Sequence, residues 1–233
     1  PVEFWVDDAR ADRFSNQSLG AMAYKGSLWG LPLAVKSLAL FYRTDLVPSP
    51  PATTDDLIAM AKPLRAKGVF ALAYANVDLY GHAPWLHGFG GRVLDDQGNF
   101  AIATPEAERA MAFAKQLVAD GIVPADAQDP QVASDFNRGK AAMALQGPWF
   151  IAGIGRDVPW QVAPLPIVSA TGKPAAPFLG AEGILMSARA RDTDAAFAVM
   201  DALTSDAAAV TRARDARQVV ANGHAYDDPA VAK

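Results

Sequence analysis

From Leu31 to Tyr42 the chain carries almost nothing polar, being interrupted only by Lys36 and Ser37, and it then turns hydrophilic at Arg43-Thr44-Asp45. A strand with one face in water alternates apolar and polar residues, so this nearly unbroken run reads as a core strand buried on both faces. Such a strand needs covering layers above and below it. Helical signals supply them. Pro48, Pro50 and Pro51 force an extended connector, and Thr53 to Asp56 then provide an N-cap and first-turn acids for a helix towards Lys67, with Gly68 as its C-cap. Pro63 lies inside that span and predicts a kink or a fresh last turn.

The alternation continues downstream. Val69 to Tyr74 reads as a strand and Asn76 to Gly91 as a mixed segment rich in glycine and aromatics, the first candidate site. Leu94 to Ala103 has the pattern of a hairpin turning at Asp96-Gln97-Gly98-Asn99. Thr104-Pro105-Glu106 opens a helix that ends at Gly121, and a further helix spans Asp129 to Arg138. Ala141 to Leu145 is a short strand leading into Gly147-Pro148-Trp149. Val162 to Val168, with Pro164 and Pro166, reads as an irregular or edge strand, and Phe178 to Ser187 as a strand able to serve as a hinge. Asp192-Thr193-Asp194 and Ser205-Asp206 each open an alanine-rich helix, the second reaching about Gln218, and the polar tail from Asn222 is expected to fray. The chain is an α/β protein without internal repeats.

Composition excludes several classes. Lys plus Arg number 21 against 25 Asp plus Glu, a net charge of -4 that offers no positive field to a phosphate backbone, so nucleic acid is not an expected partner. With no cysteine there is no disulfide framework, thiolate metal site or cysteine nucleophile. The apolar runs stop well short of the roughly 20 residues a membrane-spanning helix needs. Pro1-Val2-Glu3-Phe4-Trp5 lacks the basic start and apolar stretch of a signal peptide, so any targeting segment was removed or never belonged to this piece.

Phosphate-loop, dinucleotide and nucleophile-elbow motifs are absent. His82 and His87 miss the i, i+4 spacing of a helical zinc pair, His224 lies in the polar tail, and no metal or cofactor is expected. What remains is a set of aromatics beside polar groups: Trp5 with Asp7, Asp8 and Arg10; Asp78 with Tyr80; Trp85; and Trp149. Sugar recognition uses that mixture, because a pyranose has apolar C–H faces that stack on rings and an equator of hydroxyls that bond carboxylates and basic groups. Any one of these tryptophans can equally be a core plug, and for Trp85, between Pro84 and Leu86, that reading is preferred. A pair such as Asp8 and Asp78 also admits a glycosidase, although most acids in such a chain are only solvated, and binding is preferred to catalysis.

The run Tyr24 to Val35, then Leu38 to Tyr42, Asp45 to Pro48 and Pro50 to Thr53, resembles the crossover strand of the maltose-binding proteins, the sugar receptors of bacterial ABC importers. Further resemblances follow in the same order over about 200 residues: Ala71 to Tyr74 before Asp78-x-Tyr80, Gly90-Gly91, Phe136 to Met143, Gly147-Pro148-Trp149 and Pro177 to Gly180. The resemblance implies a periplasmic-binding-protein-like (type II) fold of two α/β lobes joined by hinge strands, with sugar gripped between them. Residues 35–178 would form the second lobe, and 1–34 and 179–233 pieces of the first. It also implies that Trp5, Tyr80 and Trp149 stack on sugar, while Asp8 and Asp78 bind hydroxyls, with Arg10 and Lys36 as further candidates. The family pattern has Arg directly after the first-lobe Asp, where Ala9 stands here, and Glu where Lys36 stands. Lys36 then either donates to hydroxyls or pairs with Asp78, and in the cleft its charge would also admit an acidic or phosphorylated sugar.

Parts of the first lobe's leading and closing segments have no counterpart in this sequence, so that lobe is expected to be incomplete, as a segment of a longer or fused polypeptide or as a reduced relative. The function implied is a non-catalytic receptor for maltose, maltodextrin or a related oligosaccharide, working in the periplasm or otherwise outside the cytoplasmic membrane and docking on the membrane subunits of an importer. Bound sugar would shift the population towards a closed form. A glycoside hydrolase, and an interaction domain that has lost its sugar, stand as alternatives.

Overall fold

In the computed structural model, which describes residues 1–231, the 31–42 run is divided at Ser37 and Leu38 into two strands, Gly30–Lys36 and Ala39–Arg43, that join different sheets. No turn residue marks the division. Each half is claimed by its own partners, and the chain separates there into two compact units: residues 1–36 with those from Leu179 on, and Ser37–Phe178.

In the first unit Gly30–Lys36 pairs antiparallel with Gly180–Leu185, from Gly180 opposite Lys36 to Leu185 opposite Gly30, with a register shift between Glu182 and Gly183. A Cβ on Gly183 would sit 2.1 Å from the Met22 sulfur, so a larger residue there would displace the Met22 side chain. The other edge of Gly30–Lys36 is held by the tail: Val35 N–H donates to the Val219 carbonyl at 3.0 Å and Ala221 N–H to that of Leu33 at 3.1 Å. The expected fraying from Asn222 is corrected as far as Asp227: the 3-10 turn Gly223–Asp227 buries Ala225, and the Tyr226 hydroxyl donates to the Val220 carbonyl, while residues 232 and 233 lie outside the described residues. Asn222 is buried, and its amide donates to the Thr204 carbonyl and to Asp206, so a residue that reads as polar tail is a satisfied internal bolt. Helices Thr193–Thr204 and Asp206–Ala216 open on Asp192 and Ser205 as caps, and Phe197 and Met200 reach the core formed by Val2, Phe14, Leu31 and Ala221.

The second unit is built on a four-stranded sheet in the order Phe70–Ala73, Ala141–Gln146, Ala39–Arg43, Trp160–Ala163, the first pair parallel and the others antiparallel. Side chains alternate between two buried faces. Leu40, Tyr42, Leu72, Met143 and Leu145 meet Leu57 and Leu64 of helix Thr54–Arg65, Leu117 of helix Pro105–Ala119, and Trp85. Phe41, Ala73 and Ala144 meet Val132 and Phe136 of helix Asp129–Asn137, and Phe150. Helix on both faces is the reason the run Leu38 to Tyr42 has no polar side.

Helix Thr54–Arg65, fixed by a reciprocal Thr53–Asp56 capping box, carries Pro63 in its last turn. Two local readings change. Asn76 to Gly91 is mostly the helix Leu79–Gly88, capped by Asp78, despite Gly81 and Pro84, because burial of its residues 81 to 86 outweighs their poor propensity. The 94–103 hairpin reduces to a single bridge, Leu94 with Phe100, around a turn organised by the Asp95 carboxylate, which accepts from the N–H groups of Gln97 and Asn99. Among the described residues no helix is long and apolar enough to cross a membrane.

Candidate functional site

The site in the second unit starts from the buried strand Ala141–Gln146. Its last residue, Gln146, donates from Nε2 to Asp129 at 2.8 Å and accepts from Trp149 Nε1 at 3.1 Å, so one buried amide ties the indole to the first turn of helix Asp129–Asn137. Gly147 lets the ring fold back over the backbone, for a Cβ there would stand 2.2 Å from two of its carbons. Pro148 then begins the 3-10 turn Pro148–Gly153. Trp149 ends up 44% exposed, with its ring centroid 6.2 Å from that of Tyr80 and inclined by 44°. Tyr80 is further stacked on Phe178 at 6.2 Å and 29°.

Asp78 caps the helix that carries Tyr80. One carboxylate oxygen accepts from Gly81 N–H at 2.8 Å, and the exposed group keeps its other oxygen for solvent or ligand. Gly81 cannot be another residue, because a Cβ would come 1.8 Å from the Ala75 carbonyl oxygen. Asp78 also lines a groove of about 380 Å³ with Tyr74, Asn76, His82, Lys115 and Asp126. Burial pushes the Tyr74 phenol up to about 12, against a smaller opposing effect of Trp85, and burial lowers His82. A phenol whose folded pKa lies above its unfolded value of about 10 adds stability that is complete below pH 10 and disappears as pH climbs towards 12. Urea titrations across that window should show a steeper alkaline loss for the native chain than for Tyr74→Phe. Parallel curves would mean that Tyr74 ionises as freely folded as unfolded.

In the first unit the nominated Trp5, Arg10 and Lys36 are engaged with other residues of that unit. The Trp5 N–H donates to Asp194 at 2.9 Å and its ring stacks on Phe197 at 5.4 Å and 17°. The Arg10 guanidinium lies 5.8 Å from the same Phe197 ring, bonds Asp7 at 2.6 Å and approaches Asp201 at 3.2 Å. Asp8, in the first turn of Asp8–Ala11, is exposed. Lys36 pairs with Glu182 on the neighbouring strand, inside the same unit.

Tyr80 and Trp149 are thus brought together, Asp78 sits two residues away, and Trp5 and Arg10 share one ring. Trp85 is buried at 1% exposure, as read from its apolar neighbours. Sequence reading missed Gln146, Phe178 and Asp194, whose roles depend on long-range partners. Among the described residues no group of three or more His, Asp or Glu side chains could hold a metal ion.

Residues 3–233 match the family model described as bacterial extracellular solute-binding protein. A maltodextrin-binding protein of Bacillus subtilis is 28% identical over 93% of this chain and 55% of its own length. A maltotriose-binding protein of Pyrococcus abyssi is 26% identical over 84% of this chain and 44% of its own. A galactooligosaccharide-binding protein of Bacillus subtilis is 24% identical over 94% and 55%. Among solved structures, a cyclo/maltodextrin-binding protein complexed with maltotetraose superposes with a TM-score of 0.86 at 27% identity, covering 96% of this chain and 60% of that one. The chain spans about half the length of the curated relatives it matches.

Proposed function

The chain belongs to the bacterial extracellular solute-binding proteins and carries their type II periplasmic-binding α/β fold, and from that premise we propose that it is a non-catalytic receptor for a maltodextrin-like oligosaccharide. It would work outside the cytoplasmic membrane and hand its sugar to the membrane subunits of an ABC importer. The observation that carries the reading is the Tyr80–Trp149 pair, two rings held at an angle, one of them 44% exposed and anchored from beneath by Gln146. Two neighbouring rings with exposed surface offer a platform on which the C–H face of a pyranose can stack. Asp78 stands beside the pair with an oxygen to accept a hydroxyl. To this surface the proposal adds, on the sequence resemblance, Trp5, Asp8, Arg10 and Lys36 of the other unit.

Binding is favoured over hydrolysis by the surroundings of the two nominated acids. A general acid of a glycosidase needs apolar burial to hold its proton, and both Asp8 and Asp78 are exposed. Titration of the chain with maltose, maltotriose, trehalose, sucrose and a galactotriose, followed by tryptophan fluorescence, tests the reading. A saturable change with one class of sugar, with that sugar recovered intact by chromatography, is the expected result. Cleaved sugar would make the protein an enzyme. Silence from a folded sample with every sugar would leave an interaction domain.

A further inference from the structure

Helix Leu79–Gly88 carries a second residue towards the same aromatic row. His87 follows Tyr80 by seven positions, two helical turns, and so lies on the same face roughly 10 Å further along the axis. Between them sits Phe178, stacked on Tyr80 at 6.2 Å and met edge-on by the His87 ring at 5.1 Å and 83°. The row Trp149, Tyr80, Phe178, His87 lies wholly within residues 37–178.

The histidine is fixed in more than position. Its Nδ1 is 2.6 Å from the Ala176 carbonyl oxygen, and a carbonyl only accepts, so Nδ1 carries a proton, and in that tautomer Nε2 is an acceptor. The segment that bears this carbonyl is itself tied to the helix, since Ala176 N–H donates to the Pro84 carbonyl at 3.2 Å, and Ser37 donates to the Phe178 carbonyl at 3.1 Å. His87 is half-buried, and none of the described residues bonds its Nε2. A pre-oriented acceptor at the end of a row of rings is suited to a hydroxyl donor arriving with a further apolar face.

We infer that His87 is a ligand-contacting residue whose Nε2 accepts a hydroxyl from a sugar unit beyond the one resting on Tyr80 and Trp149, so that the site selects linear oligosaccharides over disaccharides. The inference rests on the receptor reading above. A pyranose on Tyr80 does not reach a group two helical turns away, and only the next units of a chain do. Phe178 serves as the positioning residue that keeps Tyr80 and His87 in register.

Calorimetric titration of the whole chain with maltose and with maltotetraose separates the two readings. The native chain should bind maltotetraose more tightly than maltose. His87→Phe, which keeps a ring against Phe178 but removes the acceptor, should weaken maltotetraose about five- to tenfold and leave maltose unchanged. His87→Gln, which returns an acceptor oxygen, should recover most of the loss, and an unchanged thermal midpoint in both variants shows the fold intact. Native binding of both sugars with His87→Phe indistinguishable from it overturns the role of His87 alone. No binding of either sugar by the native chain overturns the receptor reading and this inference with it.

Discussion

Gly147→Ala is expected to weaken sugar binding as much as removal of the tryptophan it faces, although it adds only a methyl group. A Cβ at residue 147 would lie 2.2 Å from two carbons of the Trp149 ring, closer than any such contact tolerates, and Gly147 is buried directly after the fully buried strand Ala141–Gln146, which leaves the backbone little room to yield. The indole must therefore swing away, breaking its bond to Gln146 and its approach to Tyr80. Trp149→Ala deletes a stacked aromatic and should weaken binding by about 1–3 kcal/mol, roughly fivefold to more than a hundredfold. Gly147→Ala should fall in the same range while leaving the far-UV circular dichroism unchanged. Gln146→Leu, which removes the anchor but not the ring, should lie between these variants and the native chain. Full affinity in both Gly147→Ala and Trp149→Ala would take the indole out of the site.

Much of this architecture is legible in the sequence because it follows from local chemistry. Thr53, Thr104, Asp192 and Ser205 read as helix caps, and each accepts a hydrogen bond from the first turn it opens. The double-sided burial of Ala39–Arg43 shows in its lack of polar alternation. What the sequence hides is decided by partners distant along the chain. The polar interruption at Lys36 and Ser37 does not by local chemistry show that one apolar run serves two sheets, since the break is set by Gly180–Leu185 on one side and Ala141–Gln146 on the other. Gly81 lies in a segment that reads as mixed and rich in glycine and aromatics, whereas its lack of a side chain is what allows a helix to pass the Ala75 carbonyl. The same distinction runs through the site: Tyr80 and Trp149 stand out by residue type, while Gln146 reads as the end of a strand and acquires its role only through Asp129 and Trp149.

The largest loss of stability is expected at a tryptophan that carries no binding role. Trp85 is 1% exposed, lies edge-on to Phe113 at 5.3 Å and to Tyr74 at 6.2 Å, and joins helix Leu79–Gly88 to the sheet and to helix Pro105–Ala119. Truncation of a buried tryptophan to alanine typically destabilises by about 3–5 kcal/mol, through lost transfer free energy and the cavity left behind. For a domain of this size that corresponds to a fall of roughly 10 °C in the midpoint of thermal unfolding. Trp85→Phe, which refills most of the volume, should lose no more than about 1–2 kcal/mol. Because Tyr80 and His87 ride on the same helix, Trp85→Ala should also weaken maltotetraose at temperatures where the chain is still folded, and Trp85→Phe should not. Calorimetric unfolding of the three proteins, read beside their sugar affinities, checks both halves. A midpoint unmoved in Trp85→Ala would mean that the helix is held by its cap and its ties to Ala176 rather than by its buried face.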